Sequence, residues 1–247
     1  MSDIEVKNLT VTYPAKKRME YVCIDSLDAS FPSGNVNVIL GESGSGKSTL
    51  LKALAGILNY EGDIYFDGMP ARKLSPKEKN IAFVNQEITL YPNRTIFDNL
   101  ALPLRLFRFK PDEIRGRVYK IAKELGILAT LSRLPRQISI GQQQRACLGK
   151  ALIKEPNVLL LDEPFSNIDP KRREEERKLL RGIVKEKGLT VILATHLEED
   201  VLSLGDEVFL LEGGKISLAL KKEELSSSPH PLIRAMMASH IGGNANG

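Results

Sequence analysis

The chain has 247 residues, long for one domain and short for two, and its 42% apolar share matches a soluble protein with ample material for a core. A net charge of only +4 and the lack of tryptophan offer no basic, aromatic surface, which excludes nucleic acid as the expected partner. Cys23 and Cys147 match no disulfide or metal spacing, no apolar run nears the roughly 18 residues of a membrane span, and Met1 to Asn8 is unlike a secretory signal, so a cytosolic, reducing location is expected.

Ile4-Glu5-Val6-Lys7 and Val11-Thr12-Tyr13 alternate apolar and polar and read as strands. Val36 to Leu40 is a short apolar run that ends at a glycine-rich loop. Leu50, Leu51, Leu54, Ile57 and Leu58 then fall on one face of a predicted helix. Gly62 to Phe66 and Ile81 to Asn85 are two further predicted strands.

From Thr95 to Ala151 helical periodicity and charge replace strand signal, which predicts a helical subdomain, placed at about 87–153, inserted in an α/β core. Strand and helix alternate again afterwards. Val158 to Leu161, Thr190 to Ala194 and Glu207 to Leu211 are strands, and Lys171 to Lys187 and Glu198 to Leu204 are helices. This order predicts a mainly parallel sheet, a phosphate-loop NTPase core, with an antiparallel β portion at the N-terminus. The domain is expected over 1–225, and the Ser-, Pro- and Gly-containing tail 226–247 is expected to be partly disordered.

Gly41-Glu42-Ser43-Gly44-Ser45-Gly46-Lys47-Ser48-Thr49 fits G-x-x-x-x-G-K-[ST] in full. Its glycines let backbone N–H groups turn inward on an anion, and the following helix aims its positive end at the phosphates. Lys47 reaches the terminal phosphates and the Ser48 hydroxyl takes a Mg²⁺ position. The bare pattern arises by chance in on the order of one chain in a hundred, and here it also stands between a strand and a helix.

Val158-Leu159-Leu160-Leu161-Asp162-Glu163 places two carboxylates at the end of a buried strand. Asp162 suits support of Mg²⁺, and Glu163 suits polarisation of a water facing the γ-phosphate. A plain helix start with acidic caps would explain the same pair if the phosphate loop were missing. His196 follows another core strand, at the sheet edge where parallel sheets bind ligands. His230 and His240 carry no assignment.

These motifs, in this order and over nearly the whole chain, resemble those of the ABC transporter ATPases. The resemblance makes Tyr13 the aromatic that stacks on adenine and Gln86 the glutamine that senses Mg²⁺ and contacts the membrane subunits. Ile138-Ser139-Ile140-Gly141-Gln142-Gln143-Gln144-Arg145 resembles the family signature, usually L-S-G-G-Q, and Ser166-Asn167-Ile168-Asp169 the loop that crosses the dimer interface. The implied partners are a second nucleotide-binding subunit, the same or different, permease subunits and a solute-binding protein, with the chain peripheral on the cytoplasmic face of the membrane. Each ATP would lie between the phosphate loop of one subunit and Ser139, Gly141 and Gln142 of the other.

Ile140 departs from the signature. A β-branched residue does not take the φ > 0 geometries open to glycine, so slower hydrolysis is expected at sites using this signature. Leu90 to Asn99 and Asp162 to Asn167 are similar to segments of bacterial importer ATPases, so import is the expected direction. The added regulatory domain of many sugar importers is not expected in a chain of this length. Two rival readings are a soluble ABC ATPase working without a membrane and a weakly hydrolysing regulatory subunit. The expected absence of a long coiled coil weighs against the first, and Glu163 with His196 against the second.

Overall fold

Every residue of Val36–Leu40 (β3) is buried, as expected of a strand covered on both faces. The protein, seen in a computed structural model that describes residues 2–14 and 20–243, builds its central sheet around this strand. The antiparallel sheet is formed by β1 (Ile4–Pro14), β2 (Glu20–Phe31), β4 (Glu61–Phe66) and the short β5 (Met69–Pro70), in the order β2-β1-β4-β5. The six-stranded sheet adds β6 (Ile81–Val84), β7 (Val158–Asp162), β8 (Thr190–Thr195), β9 (Glu207–Glu212) and β10 (Lys215–Lys221), in the order β10-β9-β3-β8-β7-β6. All its pairs are parallel except the β9–β10 hairpin.

Alternate residues of the central strands feed opposite faces. Val38, Leu159 and Leu161 join the core beneath the helices, while Ile39, Val158 and Leu160 pack toward the antiparallel sheet around α1 (Lys47–Leu54). Between α2 (Pro76–Lys79), with β6 after it, and β7, the chain is helical: α3 (Ile96–Leu106), α4 (Pro111–Glu124) and α5 (Ile140–Leu152). Thr95 caps α3 by accepting the Asp98 N–H, and Ser139 with Gln142 forms a reciprocal capping box at α5. Gly149 lets these helices close. A Cβ there would lie 2.8 Å from Leu125 Cδ1 and 3.0 Å from Leu100 Cδ2. The fully buried Asn99 amide pins the preceding loop by bonding the backbone of Tyr91, Arg94 and Thr95. The remaining helices are α6 (Pro170–Lys187), α7 (Glu198–Leu204) and α8 (Pro231–Gly243).

One expectation is corrected. The first helix stops at Leu54: Gly56 turns the chain at φ 72°, leaving Ile57 59% exposed and Leu58 against the antiparallel-sheet core. Within the tail expected to be partly disordered, the described part carries helix α8 as far as Gly243, with Ile233 and Met236 completely buried in the main core. Its last residues, 244–247, lie outside the described residues. No helix among the described residues is long and apolar enough to cross a membrane.

Candidate active site

Register brings the predicted phosphate-loop, carboxylate, glutamine and histidine residues to one edge. Leu40 lies level with Thr195, and Ala194 with Asp162, so the phosphate loop, the carboxylate pair and His196 all leave the C-terminal ends of neighbouring strands. Val84 lies level with Leu161, which starts the segment carrying Gln86 from the same edge.

The loop from Gly41 turns into α1 through Gly44 at φ 84° and Gly46 at φ 105°, conformations costly for any residue with a Cβ. At Gly46 such an atom would also lie 2.8 Å from Ile24 Cδ1. Lys47 is folded into this cradle, its Nζ donating to the Gly41 and Glu42 carbonyls at 2.8 Å each. Burial pulls the Lys47 ammonium below its ordinary value, with Glu163 and Asp162 opposing that shift. Ser48 Oγ donates to Asp162 Oδ1 at 2.9 Å. Burial pushes the Asp162 carboxyl up from its ordinary value, and the Ser48 hydroxyl holds it partly down.

Glu163 stands at the centre. Its backbone sits at φ 46°, a left-handed conformation that non-glycine residues adopt at a cost and that collects at functional sites. The N–H of Glu163 is held by the Ala194 carbonyl at 2.9 Å. The carboxylate meets His196 Nδ1 at 3.1 Å, accepts from Gln86 Nε2 at 3.3 Å and lies 3.9 Å from Lys47 Nζ. Lys47, Gln86, Glu163 and His196 therefore form one contiguous polar cluster beside a cleft of about 240 Å³ that Ser43, Gly44 and Thr49 also line.

Tyr13 reaches the same region from β1, its hydroxyl 3.2 Å from Thr49 Oγ1. Cys23, to which sequence reasoning gave no role, lines the cleft and donates its thiol to Thr49 Oγ1 at 3.3 Å. Only strand pairing puts it there; its sequence neighbours carry no motif.

The signature lies elsewhere. Ser139, Ile140 and Gly141 line a different cavity of about 670 Å³ with Asn167, Asp169 and Arg172, and none of these lines the phosphate cleft. Gln142 Oε1 accepts the Ser139 N–H at 3.1 Å, and Ser139 Oγ accepts the Gln142 N–H at 3.3 Å. Ile140 opens α5 and is absent from the positive-φ residues, so the backbone objection to it does not hold. What distinguishes it is a side chain 55% exposed on the signature surface. Arg145, the last residue of the signature segment, grips Glu176 through Nε at 2.9 Å and Nη2 at 2.6 Å, tying α5 to α6.

Residues 24–166 match the ABC transporter family. The chain belongs to that family. It is similar to the glucose import ATP-binding protein GlcV of Saccharolobus solfataricus, 36% identical over 98% of this chain and 69% of that one. It is also similar to the sn-glycerol-3-phosphate import ATP-binding protein UgpC of Chromobacterium violaceum, 35% identical over 98% of this chain and 64% of that one. The chain thus spans about two thirds of the length of such relatives. Among solved structures it resembles the ATP-binding cassette MJ0796, a dimer in a post-hydrolysis state bound to ADP and Pi, with TM-score 0.79 and 29% identity over 89% of this chain and 98% of that one. As an ABC cassette the chain is an ATP-binding ATPase module.

Proposed function

We propose that this cassette is the motor of an importer: two copies, or one copy and a related subunit, close over two ATP molecules and drive separate membrane subunits. The observation that carries this is the division of the site. The phosphate cleft and the signature cavity share no lining residue, which fits a nucleotide held in the first and covered by the signature of a partner chain. The dimer of the similar MJ0796 cassette supports that arrangement.

In this reading Lys47 and the backbone of residues 41–49 hold the phosphates, with Tyr13 against the adenine. Ser48 and Asp162 supply hard oxygen donors 2.9 Å apart, a set suited to Mg²⁺ alongside phosphate oxygens, and Gln86 joins them. Bound there, Mg²⁺ would neutralise charge on the phosphates. Glu163 accepts a proton from, or orients, the attacking water, and His196 holds the γ-phosphate end. Ser139, Gly141, Gln142 and the start of α5 bring N–H donors from across the dimer, in a cleft that closure dries. Gln86, which contacts Glu163 directly, reports the state of the site to a membrane subunit seated against the Gln86 to Tyr91 segment.

The import named for the similar GlcV and UgpC proteins supports import as the direction, and the proposal adds a cytoplasmic face and a solute-binding partner. The transported solute is chosen by the membrane and capture subunits. The test is ATP turnover of the purified chain, alone and with copurified membrane subunits. Activity that rises with those subunits supports a transport motor, while turnover indifferent to them, in a chain that copurifies with no membrane protein, overturns it.

A further inference from the structure

His196 is 46% exposed in its side chain and meets Glu163 at 3.1 Å from an open surface, so burial of its own ring does not fix where it stands. Its neighbours do. Thr195, 1% exposed, accepts the Leu197 N–H on its Oγ1 at 3.0 Å, so one hydroxyl brackets the histidine from both sides. That hydroxyl donates to Asp200 Oδ2 at 2.6 Å. Asp200 is fully buried, and its other oxygen accepts from Arg177 Nε at 2.7 Å.

Arg177, itself 6% exposed, reaches back to the other half of the pair. Its guanidinium lies 6.0 Å from the ring centroid of Phe165, which follows Glu163 in the same loop. One buried ion pair therefore touches the segment behind Glu163 and the segment behind His196. It links α6 to α7 beneath the two side chains whose separation is 3.1 Å. A hydrophobic pair of similar volume would often stabilise as well or better, so stability alone gives little reason for a charge pair here.

We propose that Arg177 and Asp200 are positioning residues for hydrolysis: through Thr195 they hold the turn that carries His196 at its working distance from Glu163. Neither touches nucleotide; both act through the histidine. The inference rests on the reading of Glu163 and His196 as the hydrolytic pair.

Two variants test it together. Asp200→Asn removes the charge and turns an amide toward the arginine; since breaking a buried pair destabilises strongly, it is flanked by Arg177→Met/Asp200→Leu, which leaves no buried charge but deprives Thr195 of its acceptor. ATP affinity, by titration of a fluorescent nucleotide, should stay within about twofold of wild type in both, because Lys47 and the loop are untouched. The kcat should fall by about tenfold or more in both. On a His196→Ala background, the same changes should add no more than about twofold, since residues acting through one group are not additive. Equal losses with and without His196, or a folded apolar-pair variant turning over at the wild-type rate, overturn the proposal. If His196→Ala itself keeps full turnover, the hydrolytic reading of His196 falls and this inference with it; if only the Arg177 and Asp200 variants are normal, this inference alone falls.

Discussion

At the scale of single residues, the site is costly to the protein that carries it. Asp162 is 3% exposed, and burial raises its carboxyl above the ordinary 3.8. The folded state then holds a proton more tightly than the unfolded chain, so this group's contribution to stability falls as pH rises from the unfolded value through the raised folded one. The full cost is present at neutral pH. Asp162→Asn should therefore raise the thermal midpoint of the nucleotide-free protein at pH 7 by a few degrees, roughly 1 kcal/mol, while abolishing Mg²⁺-dependent turnover. A lowered midpoint would contradict this account of the residue. Ile140 is the second case. Its helical backbone is unstrained, so the expected slow hydrolysis must come from an exposed side chain on the surface offered to a partner. Ile140→Gly should raise turnover in the assembled transporter, read by phosphate release; an unchanged or lower rate would count against it.

At the scale of elements, residue types and spacing predicted much. Val36–Leu40 and Glu198–Leu204 have the limits their patterns predict, because one is walled in on both faces and the other is a short amphipathic turn of helix. Strand β10 carried its signal in the alternation of Ile216, Leu218 and Leu220 but lies between lysines at its ends, and it was not among the predicted strands. Helix α8 was masked by its composition, since what orders it is burial of Ile233 and Met236 in a core assembled from distant segments. The ion pairs Arg145–Glu176 and Arg177–Asp200 join residues 31 and 23 positions apart on charged helices, where a sequence shows many carboxylates and no means of choosing. Packing between elements makes its own prediction. Gly149→Val should lower stability by about 1–3 kcal/mol, measured by denaturant midpoint, because the added atoms meet Leu125 and Leu100; an unchanged midpoint would mean that α3, α4 and α5 are not closed as described.

At the scale of the whole molecule, the proposed function makes each active centre a joint product of two chains. Strand register gathers Lys47, Asp162, Glu163 and His196 at one sheet edge, while Ser139 and Gly141 face a separate cavity. The phosphate loop and the carboxylate pair were legible because their chemistry is local, a strand end followed by a turn. The contacts of Glu163 with Gln86, Lys47 and His196 come from four separate segments and emerge only on folding. A closed dimer should therefore depend on ATP and reopen on hydrolysis, which makes removal of the Glu163 carboxylate the sharpest probe. The decisive measurement is the oligomeric state and ATP turnover of Glu163→Gln beside wild type, by light scattering and phosphate release in MgATP. The account predicts a stable ATP-bound dimer with turnover reduced by at least about a hundredfold; a Glu163→Gln chain that hydrolyses ATP at the wild-type rate would contradict it.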